Sequence, residues 1–165
     1  MNIPSKTQKL LNEQFYNELY AAHIYFAMSA YFRHTPFQGM AKWMHLQSKE
    51  EIGHAMKIYE YLIERGSKFV PGTVEKPAKS DFSSPLEAFR TAYEHEKLVT
   101  SQLTKIYETA NEESDWVSAD FLSWFLKEQV EEEQSTFAFV RGLEYAGDDK
   151  NLLIGVDSWA GKRAE

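Results

Sequence analysis

Glu51-x-x-His54 sets a carboxylate and an imidazole one helical turn apart, so both can reach a single cation from one face of a helix. Alone the pair says little, because charged helices produce it on solvated faces. Its context is more specific. At alternating three- and four-residue steps, the apolar line of the first long periodic segment is Leu11, Phe15, Glu18, Ala22, Tyr25, Ser29, Phe32. The second runs Met44, Gln47, Glu51, His54, Ile58, Tyr61, and the third Phe89, Ala92, Glu96, Val99, Leu103, Ile106, Ala110. The fourth is Leu122, Phe125, Gln129, Glu132, Thr136, Phe139, Leu143. A glutamate interrupts each line near its middle. Converging carboxylates inside a helical core are costly without cations, and no Lys or Arg lies on these lines. Four carboxylates and a neutral His54 balance two divalent metals. Oxygen ligands with one imidazole and no sulfur suit iron or manganese better than copper and leave zinc as a competitor.

A second acidic group adjoins the first. Glu128, Glu131 and Glu132 stand at i, i+3 and i+4, sharing a helix face, and Glu50 neighbours Glu51. These residues read either as a third cation site or as a hydrated acidic face.

The elements that must hold these side chains are long helices. Glycine and proline, eight and five in number, fall mostly between periodic segments. Ser5-x-x-Gln8, Thr35-Pro36-x-Gln38 and Ser84-Pro85-x-Glu87 read as capping boxes, two with proline at the first helical position, while Gly66 and Gly147 read as stops. Helices are predicted over about 5–33, 37–65, 84–112 and 115–146, with a short one over about 149–160. The short links within the first and second pairs make each an antiparallel hairpin. Between the hairpins lies SKFVPGTVEKPAKSDFS, which at ~3.3 Å per residue can span a whole bundle. The third helix can then run parallel to the second. The predicted fold is all-α: a four-helix bundle with one long crossover and a short fifth C-terminal helix, in one domain over residues 1–165.

The chain has 165 residues, 43% hydrophobic and 15% aromatic, enough for one domain with a real core. Its 25 acidic against 18 basic residues give a net charge of −7, which disfavours nucleic acid and favours cations as partners. Without cysteine there is no disulfide, thiolate or iron–sulfur site. No window approaches a membrane span and MNIPSKTQKL lacks an apolar leader, so the expectation is a cytoplasmic protein with no membrane partner. His23, His34, His45 and His95 lie off the buried lines and read as surface or packing residues. Met28, Met40, Met44 and Met56 read as packing. Gly53 lowers helix propensity by ~1 kcal/mol, which suggests close approach of a neighbouring helix.

The segments LNEQFYNELYAAHIYFAMSAYF, SKEEIGHAMKIYEYL, AYEHEKLVT and FLSWFLKEQVEEEQ resemble those of bacterial non-haem ferritins, and the likeness covers nearly the whole chain. The resemblance implies a ferritin-like di-iron bundle, with Glu18, Glu51 and His54 on the first iron and Glu51 as bridge, Glu96 and Glu132 on the second. It sets Gln129 close to the second iron, Tyr25 and Trp124 nearby, and a third iron at Glu50, Glu128 and Glu131, with Glu132 shared. Haem is not implied, because Ile52 stands where bacterioferritins carry the haem methionine and the fourth helix has no second Glu-x-x-His. The activity implied is ferroxidase: Fe(II) oxidised by O2 or peroxide, the ferric product stored as mineral in a homo-oligomeric cage of twenty-four subunits. A di-iron oxidase or peroxidase of the same superfamily, without storage, is the alternative.

Overall fold

The computed structural model describes residues 2–164, which form five helices: α1 (Ser5–Arg33), α2 (Gln38–Glu64), α3 (Pro85–Glu112), α4 (Trp116–Ala146) and α5 (Lys150–Gly161). At 1.5 Å per residue, each of the first four is on the order of 40 Å long. Every residue of the four expected apolar lines is buried except Phe15, which is half-buried. None of the helices among the described residues is long and apolar enough to cross a membrane.

The helix ends follow the sequence signals in part. Ser84 Oγ accepts from Glu87 N at 3.2 Å with Pro85 at the first helical position, and the Glu87 carboxylate turns back to accept from Ser83 N at 2.6 Å. Gly66 and Gly147 both adopt positive φ, +67° and +51°, at the ends of α2 and α4. The other two boxes are not formed. Pro4 is the N-cap of α1 and Ser5 lies inside the helix, while the Glu113 carboxylate, from the α3–α4 turn, accepts from Thr7 N at 3.0 Å and Thr7 Oγ1 at 2.8 Å. A distant carboxylate thus does the work of a local hydroxyl. At α2 the N-cap is Phe37, and Thr35 Oγ1 closes the preceding turn by accepting from Phe37 N.

α1 packs on α2 and α3 on α4, and the crossover lies along α1. Gln8 Nε2 donates to Lys68 O, Asn12 exchanges two 2.9 Å bonds with Val70, and Tyr16 OH accepts from Gly72 N at 2.7 Å. His23 Nδ1 meets Glu75 O at 3.2 Å. The contacts climb α1 from its first turns past its middle, so the chain returns to the end where α2 began. There Phe82 meets Tyr31 and Phe89 meets Phe32. α3 therefore runs parallel to α2, as the loop length predicts.

α5 folds back on the start of α2. A Cβ at Gly39 would lie 2.0 Å from Asp157 O and 2.9 Å from Gly161 N, so only glycine permits this approach. Met40 N donates to Asp157 Oδ1 at 2.8 Å, and Lys42 Nζ to Gly161 O at 3.2 Å. A Cβ at Gly53, by contrast, would meet nothing within 4 Å, so the close approach expected there occurs at Gly39 instead.

The core falls into two apolar clusters. One gathers Met28, Phe32, Met44, Phe89, Phe139 and Leu143; the other gathers Leu11, Ile58, Leu62, Leu103, Leu122 and Phe125. Between them lies a layer of buried polar side chains.

Candidate metal centre

That layer consists of Gln14, Glu18, Gln47, Glu51, His54, Glu96, Gln129 and Glu132, none more than 6% exposed. Each of α1 to α4 contributes because its glutamate occupies a position that packing turns inward. The ligand atoms of Glu18, Glu51 and His54 lie within 4.8 Å of one another, and so do those of Glu51, Glu96 and Glu132. Glu51 belongs to both sets. A third set joins Glu50, His54 and Glu132.

Hydrogen bonds hold most of these carboxylates from behind. Gln14 Nε2 donates to Glu18 Oε1 at 2.7 Å, and Asn17 Nδ2 in turn donates to Gln14 Oε1. Gln47 Nε2 donates to Glu51 Oε1 and Glu132 Oε2, both at 2.8 Å. Tyr25 OH donates to Glu96 Oε1, and Gln129 Nε2 to Glu96 Oε2 at 3.1 Å. His54 Nδ1 faces Glu51 Oε2 at 3.1 Å, its ring edge-on to Trp124 and Phe125. Glu18 Oε2 is buried without a hydrogen-bond partner among the described residues. An orphaned carboxylate oxygen in a set of hard oxygen donors and one imidazole fits a divalent cation.

The electrostatics agree. Burial, followed by the charge of Glu51, raises Glu18 and Glu96 to about 8. Burial with the charges of Glu51, Glu96 and Glu50 raises Glu132 to about 9. Burial alone would lower His54, but the hydrogen bond and charge of Glu51, with Glu18 and Glu132, lift it to about 9. Burial, then Glu96, holds the Tyr25 phenol well above its ordinary value. Metal-free, the centre keeps protons that divalent cations would displace.

The second acidic group lies beside this layer. Glu50, Glu128, Glu131 and Glu132 line one cavity of about 220 Å³ with Trp43, Gln47 and Arg163. Glu128 and Glu131 join none of the close ligand sets among the described residues. Glu131 is exposed, and Glu50 is ion-paired to Arg163. The remaining histidines join none of the close ligand sets among the described residues. His23 and His34 are exposed and His45 half-buried, while burial lowers the pKa of His95, whose Nε2 has no partner.

Of the bracing amides, Gln129 was singled out from the sequence through the family resemblance, whereas Gln14 and Gln47 were not. Gln14 lies off the traced line, Gln47 lies on it with no role apparent, and Arg163 follows the last helix. A glutamine one turn before each of two buried glutamates, Gln14-x-x-x-Glu18 and Gln47-x-x-x-Glu51, is the signal that could have found the first two.

A four-helix bundle with a long crossover and a carboxylate layer between two apolar halves defines the class of helical-bundle carboxylate metal proteins. The ferritin-like domain model matches residues 8–145. A bacterial non-heme ferritin of Staphylococcus epidermidis is 41% identical over 143 residues, covering 87% of this chain and 86% of the relative. A probable bacterial non-heme ferritin-like protein of Haemophilus influenzae is 37% identical over 149 residues, 90% of each chain. Among solved structures, an open pore ferritin of Archaeoglobus fulgidus superposes with a TM-score of 0.96 at 38% identity, covering 99% of this chain and 100% of the other. A closed form of that ferritin engineered by site-directed mutagenesis gives 0.95 at 37% identity, covering 99% of each. The chain belongs to the ferritin family.

Proposed function

We propose that this chain is an iron-storage ferritin subunit that oxidises Fe(II) at Glu18, Glu51, His54, Glu96 and Glu132 and deposits the ferric product inside a cage of its own copies. The observation that carries the reading is the sharing of Glu51 between two close ligand sets. One carboxylate common to two sets suits two cations held side by side, with Glu18 and His54 on the first and Glu96 and Glu132 on the second.

Iron is here the substrate. Each Fe(II) yields one electron, so a pair supplies the two that reduce O2 to hydrogen peroxide, or hydrogen peroxide to water, with two protons taken up. The protein contributes position and charge. Anionic oxygen ligands favour Fe(III) over Fe(II), Tyr25 and Gln129 hold the two oxygens of Glu96, and Gln14 holds Glu18. The protons held by the raised carboxyls leave as metal enters.

Storage requires assembly, because one bundle encloses no volume for mineral. Ile52, Met56 and Ile63 form an exposed apolar stripe on α2, with Phe26 nearby on α1, and such a stripe fits contact with further copies. We assign twenty-four copies on the family resemblance. On the family resemblance, Glu50, Glu128 and Glu131, with Glu132 shared, would take a third iron after the pair, and the cavity they line together supports that reading.

Two measurements test the reading together. Purified protein should elute as a particle of cage size and should oxidise two Fe(II) per subunit rapidly, then accumulate ferric mineral. A monomer or dimer that oxidises iron without mineral would move the assignment to a di-iron oxidase or peroxidase. Absence of fast oxidation would remove the catalytic reading altogether.

A further inference from the structure

Arg163 lies two residues beyond α5, yet its guanidinium reaches the edge of the polar layer. Nη1 donates to Gln47 Oε1 at 2.6 Å and Nη2 to the Glu50 carboxylate, with the guanidinium carbon 4.9 Å from the Trp43 ring centroid. Gln47 is fully buried, and its Nε2 is shared between Glu51 and Glu132. The side-chain amide can satisfy carboxylates with only one of its ends, the NH2. A guanidinium has only donors, so it can donate only to the other end, the carbonyl oxygen. Both neighbours therefore demand the same orientation of the amide. Were the amide reversed, its oxygen would face two carboxylates and its NH2 a guanidinium, and contacts on both sides would be lost.

We infer that Arg163 is a positioning residue for the metal centre: it locks the Gln47 amide so that one NH2 group clamps Glu51 and Glu132 from opposite helices at ligand spacing. The inference rests on the proposed metal-centre reading. It makes the docking of α5, through Gly39, Asp157 and Lys42, part of the device that organises the centre, because that docking aims Arg163 at Gln47. A hydrogen-bond partner directly behind a ligand is worth about 10–100-fold in metal affinity, so a residue one step further out should be worth roughly 3- to 10-fold.

The test is calorimetric titration of the assembled, metal-free protein with Zn2+, a redox-inert probe, comparing wild type, Arg163→Ala, Arg163→Lys, Gln47→Leu and the double variant Arg163→Ala/Gln47→Leu. Thermal melts run alongside to show that each variant is folded. We expect Arg163→Ala to weaken zinc binding at the buried centre about 3- to 10-fold. Arg163→Lys, a single point donor, should restore part of the loss. In the Gln47→Leu background, removing Arg163 should change nothing further, because the link through which it acts is gone. An equal loss in both backgrounds would overturn the inference and reduce Arg163 to a general charge or a fastener of α5. Unchanged affinity in Arg163→Ala would overturn it too. Tighter binding would do the same, making Arg163 a competing cation. Failure of wild-type protein to bind zinc at the buried centre would overturn this inference and the metal-centre reading together. Normal wild-type binding with an unaltered Arg163→Ala would overturn this one alone.

Discussion

Glu51 stands between the two ligand sets, hydrogen-bonded to Gln47 and His54, and its charge raises Glu18, Glu96 and Glu132. Glu51→Ala or His54→Ala should therefore abolish fast Fe(II) oxidation, a larger effect than the roughly 10–100-fold expected for a partner behind a ligand. The metal-free Glu51→Ala protein is relieved of repulsion among the buried carboxyls but loses the partners His54 and Gln47, so its melting temperature should stay close to that of wild type. Stopped-flow oxidation at two Fe(II) per subunit checks the first point and thermal melts the second; near-wild-type rates would exclude these ligands. The raised carboxyls also fix the sign of the pH dependence. Between the ordinary value of 4.5 and about 8 to 9, the folded chain keeps protons on Glu18, Glu96 and Glu132 that the unfolded chain has released. Stability of the metal-free protein should thus fall as pH rises through that window, and His54, lifted from 6.5 to about 9, acts in the same direction. Metal affinity should move oppositely, weakening as pH drops below about 8 to 9, because protons compete for the same atoms. Melts with and without Zn2+ across the window should show the two opposed slopes, and parallel slopes would contradict the proton inventory. The glutamates and His54 were legible in the sequence because they break apolar periodicity. Gln14 and Gln47 were not, since a buried glutamine, on an apolar line or beside it, declares no role until its partners are placed.

The helices themselves were legible to within a residue or so at each end, because long periodic runs and the glycine stops at Gly66 and Gly147 leave little freedom. What could not be read locally was decided by tertiary contact. Glu113 caps α1 from across the bundle, a contact that no window around Ser5 contains. Gly39 and Gly53 present the same limit. Both are helical glycines in one helix, and only the position of α5 shows that the first is required by close approach and the second is not. Gly39→Ala should consequently displace α5. The added methyl would meet backbone of Asp157 at 2.0 Å, and a backbone obstacle cannot swing aside as a side chain can. Overpacking of this kind costs about 1–3 kcal/mol, visible as a lowered melting temperature, with faster hydrogen exchange across α5. Gly53→Ala, with open space around it, should be neutral or stabilising by up to ~1 kcal/mol in the subunit. Equal melting temperatures for the two variants would refute the distinction.

At the scale of the molecule, the proposed oxidation and the proposed storage would make separate demands on the chain. The two close ligand sets lie within one bundle, whereas a mineral cavity needs many copies. The open pore relative and its engineered closed form superpose on this chain about equally well. The proposed contacts between copies would need an apolar surface, and on α2 the exposed stripe of Ile52, Met56 and Ile63 offers one. Ile52→Glu combined with Met56→Glu would introduce like charges one turn apart into a surface that assembly would dehydrate, and unpaired buried charge is costly. None of the glutamates that bear the proposed chemistry is altered. The double variant should elute as a small species, oxidise the first two Fe(II) per subunit, and then precipitate ferric product instead of holding it in solution. Size-exclusion chromatography with light scattering reads the first outcome, and iron retained with soluble protein after many equivalents reads the last. A variant that still forms the full particle would show that the stripe is not an assembly surface. One that dissociates and still holds hundreds of irons in solution would break the link between cage and storage.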